Sequence, residues 1–201
     1  MEPTIQSSKI PGTVFDRDKM GGVTGEKFLS KIFFVSDGIM LGQIREITGV
    51  DGTTLQNWVK RGWLPRPQNK LYRKDQLARI LIINMMRDTM QLSNISFLLH
   101  YINGRLDDAS DDIITDTDLY DYICRLLDLL VEKGSGGMKN LPELIRSVTG
   151  TYVERRPGAG ERLNRALEVI MLSCWASLLK GHADVLLEGL KAERTEEGYN
   201  A

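Results

Sequence analysis

The stretch Leu41–Leu64, LGQIREITGVDGTTLQNWVKRGWL, decides the fold of this chain, because it reads as two short helices joined by a tight turn. In the first helix, Leu41 to about Thr48, the residues Leu41, Ile44 and Ile47 recur at i, i+3 and i+6 and make one narrow apolar stripe. Gln43, Arg45 and Glu46 face away from it. Gly49 then ends the helix, since glycine reaches the left-handed conformation of a C-terminal cap at little steric cost. Asp51-Gly52-Thr53-Thr54 offers side-chain oxygens to the next N-terminus, so a second helix is expected from about Thr53 to Arg61. Its inward face is Leu55, Trp58 and Val59; its outward face is Thr54, Gln56, Asn57, Lys60 and Arg61, polar and cationic groups with no acid among them. Gly62 closes the helix, and Pro65 and Pro67 oppose a restart.

A helix, a glycine turn and a second helix with a polar, basic outer face form the pattern of a helix-turn-helix, whose second helix is sized for a DNA major groove. A plain helical hairpin shares that pattern. The landmarks Ile47-Thr48-Gly49-Val50, Thr54-Leu55, Trp58 and Gly62-Trp63-Leu64-Pro65, followed by Tyr72 and Leu77, resemble the winged-helix domain of MerR-type bacterial transcription regulators. In that family a TGV turn leads to a TL at the start of the recognition helix, then an aromatic pair, a G-L-L-P exit and a short wing ending in tyrosine and arginine. The resemblance runs from about Ile39 to Asn103, and the spacing from Thr54 to Gly62 fits without a gap. This stretch also looks like an uncharacterised bacterial family with a MerR-like N-terminal half.

Two positions depart from the pattern. Gln56 stands where the family usually has a DNA-contacting arginine, and Asn57 where it has the first of two aromatics. Both can still pair bidentately with adenine. The wing is short, because Arg66 to Leu71 leaves room for only a clipped hairpin. Tyr72 fits either of the family's two wing tyrosines; if it is the second, Lys70 takes the place of the wing arginine.

A chain of 201 residues with 42% hydrophobic residues can bury a real core as one large or two small domains. The net charge of −1 argues against a wholly basic nucleic-acid coat protein, yet the charge is uneven. Met40 to Arg79 holds eight Lys or Arg against three Asp or Glu, while Arg105 to Asp121 holds seven Asp against one Arg. One face therefore attracts phosphate while another repels it. Cys124 and Cys174 lie in apolar helical stretches without metal-ligand spacing and read as reduced, buried thiols. No charged segment followed by an apolar run opens the chain, so a cytoplasmic protein is expected. The most apolar segment, Ala166–Leu179, is fourteen residues long, too short to span a bilayer, and no membrane partner is expected.

Residues Met1 to about Met20 read as extended or disordered, and Lys27–Phe34 as a short amphipathic helix bracing the helix-turn-helix. A groove-reaching N-terminal arm, with Lys27 and Lys31 as its cations, is the sharper reading of the same segment. Helices are expected over Lys74 to about Met90 and Leu92 to Tyr101. Methionines 85, 86 and 90 suit an adaptable ligand pocket, but a Met stripe at helical spacing is more often plain core. The acidic run from Asp107 to Asp118 lacks the register of a calcium loop and reads as a solvated loop, with Asp116 or Thr117 capping a helix from about Leu119 to Glu132. Lys133-Gly134-Ser135-Gly136-Gly137 reads as a loop, Leu141 to Val148 as a brief helix, and about Gly160 to Arg194 as a long helix, apolar on nearly every side and therefore enclosed. Sustained coiled-coil heptads are not evident in it. MerR-type regulators dimerise through a C-terminal helix, so the resemblance implies a homodimer; covering of the long helix by Leu119–Val148 within one chain is the alternative.

No nucleophile elbow, phosphate-cradling glycine loop or HExxH occurs, and neither His100 nor His182 has an acid at i+3 or i+4 to orient it. No enzyme, catalytic residue, metal site or cofactor is expected. The chain is expected to be all-α: an N-terminal arm and bracing helix over 1–38, a MerR-like winged helix-turn-helix with a clipped wing over 39–103, and a helical bundle over 104–201 for dimerisation, with sensing of a small-molecule effector as an added reading. The partner would be double-stranded DNA, with Thr54, Gln56, Asn57, Lys60 and Arg61 facing the groove and Arg66, Lys70, Arg73 and Lys74 gripping phosphates. The function expected is sequence-specific transcription regulation; the alternative is a helical interaction module that keeps the fold without reading DNA.

Overall fold

The computed structural model describes residues 9–196 apart from 107 and 134. The fold is mostly helical: α1 (Gly25–Ile32), α2 (Leu41–Thr48), α3 (Gly52–Lys60), α4 (Lys74–Met86), α5 (Leu92–Asn103), α6 (Asp116–Lys133), α7 (Ser135–Lys139), α8 (Leu141–Thr149) and α9 (Ala159–Glu196). One small antiparallel pair joins β1 (Ile39–Met40) to β2 (Leu71–Tyr72), with Ile39 opposite Tyr72 and Met40 opposite Leu71. The expectations for residues 1–8, for Asp107 within the acidic run and for Gly134 lie outside the described residues.

The enclosed helix is α4. Leu77, Ala78, Ile80, Leu81, Ile82, Ile83 and Met86 are all but sealed from solvent, and α2, α5, α6 and α9 pack around them. The sequence places that role on the final helix, and the structure corrects it. In α9 the first half is buried through Leu163, Leu167, Ile170, Met171 and Cys174, while Val185, Leu186 and Leu190 stand 70%, 57% and 61% exposed. Length explains the difference. The 38 residues of α9 rise roughly 57 Å, against roughly 20 Å for the 13 of α4, so α9 outruns the elements that would cover it. By length and composition alone Ala159–Arg194 would also suffice to cross a membrane, although its first half is packed against α4, α5, α6 and α8.

Three further expectations change. Residues 9–16 are ordered and form the brace on the helix-turn: Ile10 is fully buried, the Tyr120 hydroxyl donates to the Pro11 carbonyl at 2.9 Å, and the Val14 N–H donates to the Ile47 carbonyl at 3.0 Å. Helix α1 packs instead on α6, where Gly25 lies so close to the Cys124 thiol that no larger residue fits without a shift. The segment read as a loop after Lys133 contains the single-turn helix α7, in which the missing side chain of Gly137 lets the backbone approach Leu130.

The start of α6 is held from outside as well as capped locally. Thr115, one residue before the expected cap, accepts the Asp118 N–H at 3.0 Å. Asp116 instead pairs with Arg79 of α4, and Asp75 at the start of α4 accepts the Thr117 N–H at 3.1 Å.

Candidate nucleic-acid interface

The turn between α2 and α3 is closed by short-range hydrogen bonds that the local sequence supplies. The Thr48 hydroxyl donates to the Ile44 carbonyl at 2.8 Å and accepts the Val50 N–H at 3.1 Å. Gly49 adopts φ 70°, and its N–H donates to the Arg45 carbonyl at 2.8 Å. Asp51 caps α3 by accepting the Thr54 N–H at 2.9 Å and the Thr54 hydroxyl at 2.5 Å, which starts the helix at Gly52. The Thr54 hydroxyl and then its N–H hold the Asp51 carboxyl below its ordinary range.

Leu55 and Trp58 are buried and Val59 half-buried, so the opposite side of α3 presents Gln56, Asn57, Lys60 and Arg61 to solvent. Arg61 lies over the Trp63 ring, 5.2 Å from guanidinium carbon to centroid, which steadies its charge at the surface. Thr54 differs from the expectation. It is half-buried and its hydroxyl proton is committed to Asp51, so it serves the cap before it serves any groove.

The segment expected to be a clipped wing folds as a two-residue hairpin. Gln68 and Leu71 exchange N–H···O bonds of 3.1 and 2.9 Å, and Asn69 and Lys70 between them take φ 52° and 65°. Positive φ at both central residues is the geometry of a type I′ turn. Lys70 therefore sits at the tip, exposed, with Arg66 and Arg73 exposed on either side. Lys74 is drawn elsewhere: it is half-buried, with its Nζ 3.4 Å from the Ser30 hydroxyl of α1. A groove of about 500 Å³ runs between α3 and the hairpin, lined by Met40, Leu41, Gly42, Val59, Pro67 and Tyr72, with Gln56 on one side and Lys70 on the other.

The residue that sequence reading missed is Gln76. Buried in the first turn of α4, it donates from Nε2 to the Pro65 and Arg66 carbonyls at 3.0 and 3.1 Å and accepts the Arg73 N–H at 2.8 Å. It thus holds both ends of the hairpin segment. The signal was present as a glutamine three residues into a helix, where a side chain can reach back to the N-cap.

The acidic run is tied by hydrogen bonds to the end of α5 and to the segment that precedes α9. Ile114 N–H reaches the Asn103 side chain at 3.3 Å, Arg156 reaches the Ser110 carbonyl at 2.6 Å, and the Tyr152 hydroxyl reaches the Ile113 carbonyl at 2.8 Å. Among the described residues no group of His, Cys, Asp or Glu is arranged to hold a metal. Both cysteines are free and buried, and burial pushes the Cys174 thiol up to about 12. His100 is tied by its Nδ1 to the Ser96 carbonyl at 2.7 Å, within its own helix.

Residues 32–123 match the family described as Domain of unknown function (DUF1836). The matched stretch takes in α2, α3, the hairpin, α4 and α5, and it ends inside α6, beyond Asp116. The chain is 27% identical over 146 residues to the uncharacterized protein YkrK of Bacillus subtilis (strain 168), an alignment that covers 70% of this chain and 58% of YkrK. The chain thus spans less than two thirds of the length of that curated relative. No solved structure matches it.

Proposed function

We propose that this chain is a MerR-like winged helix-turn-helix protein and acts as a sequence-specific DNA-binding transcription regulator. The observation that carries the reading is the outer face of α3: exposed Gln56, Asn57, Lys60 and Arg61, set beside the cationic hairpin tip at Lys70. Gln56 and Asn57 offer paired donors and acceptors to adenine, and Lys60, Arg61, Arg66, Lys70 and Arg73 supply phosphate contacts. Residues 39–103 form the reading unit and 104–201 the helical support in this proposal, with Lys74 and Thr54 given structural tasks.

A homodimer is part of the proposal. Against the sequence reading, which found no sustained heptads in this helix, its exposed residues include Val169, Leu172, Ala176, Leu179, Ala183, Leu186 and Leu190, a 3-4 spacing over three heptads with leucine at every d position. Such a seam suits a second helix of the same kind. Two copies would present two α3 helices to one duplex, as helix-turn-helix dimers do.

Fluorescence anisotropy with a pool of genomic duplexes, at low and moderate salt, tests the reading. The expected result is salt-sensitive binding that Lys60→Ala/Arg61→Ala loses, with the salt slope reduced by roughly two. A second reading, an interaction module, is favoured by the apolar groove beside α3 and by Phe34 and Val35, which stand 88% and 90% exposed. Absence of binding at low salt by a folded protein would overturn the regulator and favour that module.

A further inference from the structure

The groove between α3 and the hairpin has features that a duplex does not call for. Met40, Leu41, Val59, Pro67 and Tyr72 make it largely apolar, and no acid stands among its described lining residues. Met40 is 60% exposed, although its N–H is held by Gln43 Oε1 at 2.9 Å and its backbone is paired with Leu71. A methionine left open in this way is soft and polarisable, and such side chains recur on surfaces that take apolar ligands. Phosphate oxygens gain nothing from it.

Each wall adds one polar side chain, Gln56 from α3 and Lys70 from the hairpin tip. Both are exposed, so a solute reaches them directly. Neither makes a hydrogen bond or ion pair among the described residues. The wall that carries Lys70 is fixed, because the type I′ turn sets its backbone and Gln76 holds the Pro65 and Arg66 carbonyls. At about 500 Å³ the space lies within the range of small-molecule sites, which are mostly apolar with a few placed polar groups.

We propose that this groove binds a small aromatic monocarboxylate. The ring lies on Met40, Val59, Pro67 and Tyr72, where the methionine sulfur and the tyrosine ring suit an aromatic partner. The carboxylate pairs with the Lys70 ammonium and accepts from the Gln56 amide N–H. One lysine matches one negative charge. A phosphate ester carries more charge and favours arginine forks, and no arginine is among the described lining residues. The bound molecule fills the space between the two elements proposed to touch DNA and takes up Gln56 and Lys70, so ligand and duplex exclude each other. That exclusion rests on the regulator reading; the binding site itself does not.

The test is a nitrogen-15 NMR titration of the full chain with 2-naphthylacetate and, separately, with 2-naphthylacetamide, which keeps the ring and loses the charge. The carboxylate is expected to give saturable shifts at the Gly42 N–H and the Gln56 side-chain amide, and the amide to bind roughly fivefold more weakly. Lys70→Gly, which suits the turn, is expected to remove that preference. Gly42→Phe is expected to remove both sets of shifts, because Gly42 lines the groove and a Cβ there meets nothing within 4 Å, so a ring enters without displacing the fold. Equal affinity for the two compounds, a preference that survives Lys70→Gly, shifts that persist in Gly42→Phe, or no saturable shift with the carboxylate would each overturn the proposal. Where the native chain holds a duplex, saturating 2-naphthylacetate is expected to release it; release from Gly42→Phe as well would overturn the exclusion. Absence of DNA binding alongside an intact naphthylacetate site would count against the reading of α3 alone.

Discussion

The Arg79 guanidinium grips the Asp116 carboxylate through two hydrogen bonds, Nε to Oδ2 at 2.7 Å and Nη2 to Oδ1 at 3.2 Å, with side chains only 5% and 11% exposed. The pair ties the helix that follows the hairpin to the first turn of α6, and so joins the N-terminal half of the chain to the C-terminal bundle. Breaking one side strands a buried charge. Arg79→Ala is therefore expected to cost roughly 3–5 kcal/mol in urea unfolding, while Arg79→Met with Asp116→Leu should recover most of that loss.

The same pair has a pH signature. Burial pushes the Asp116 carboxyl up, and the Arg79 guanidinium pulls against it. In Arg79→Ala the pull is gone and the folded carboxyl rises further above its unfolded value. A group raised in the folded state takes its proton there first, so the variant's deficit should be full at neutral pH. It should shrink as pH falls through the raised value toward the unfolded one near 3.9. Urea midpoints for both proteins across that range check it; a deficit that grows on acidification contradicts the assignment.

Asp51 carries the opposite sign. Its carboxyl is lowered by the Thr54 hydroxyl and N–H, so its contribution to the start of α3 is present above the unfolded carboxylate value and lost as pH falls through the lowered folded one. Asp51→Ala should speed amide exchange at Thr54 and Leu55, and Asp51→Asn, which keeps an acceptor, should restore much of the protection.

Much of the α2–α3 pair was legible because its signals are local. Gly49 and the Asp51-Gly52-Thr53-Thr54 run act within one turn of themselves, and α2 spans Leu41–Thr48 as its apolar stripe requires. The brace over residues 9–16 was not legible. Pro11 and Gly12 are held by Tyr120 and Asn84, partners 109 and 72 residues away, which no local pattern encodes. Nor was the Ile39–Met40 strand, whose existence depends on Leu71 and Tyr72 arriving through the type I′ turn. In α9 two stripes were superposed. Leu163, Leu167, Ile170 and Cys174 face the bundle while Val169 and Leu172 of the same half face away from it, and Val185 and Leu190 lie in the exposed second half; together they read as hydrophobicity on every side. At the candidate interface, exposure of Gln56, Asn57, Lys60 and Arg61 followed from helical spacing, whereas the diversion of Thr54 and Lys74 depended on particular partners.

Lys70 offers a way to separate stability from binding at the hairpin. It holds φ 65° behind Asn69, a conformation that costs a side chain about 1 kcal/mol and costs glycine little. Lys70→Gly creates the Asn-Gly pair preferred in type I′ turns, so it should raise the unfolding free energy by up to about 1 kcal/mol. The same change deletes a cation at the tip. Under the proposed DNA-binding function, affinity should fall and the salt slope should drop by roughly one even as the protein becomes more stable. A variant that gains stability with unchanged binding would remove Lys70 from the contact surface.

The α9 seam can be tested with no cost to the core, because its leucines are already outside it. Leu172, Leu179 and Leu186 stand 54%, 46% and 57% exposed, each seven residues from the next. In a monomer they are solvated, and replacing two of them with glutamate would change neither fold nor mass distribution. In a coiled-coil dimer the same change places four carboxylates in the seam, where burial and like charge both oppose association. Sedimentation of the native chain is expected to show a dimer, and of Leu179→Glu/Leu186→Glu a monomer with unaltered circular dichroism at the same concentration. If the reading unit works in pairs, that monomer should also bind DNA far more weakly while keeping every residue of α3. A native chain that sediments as a monomer would leave the leucine stripe without a second copy to meet.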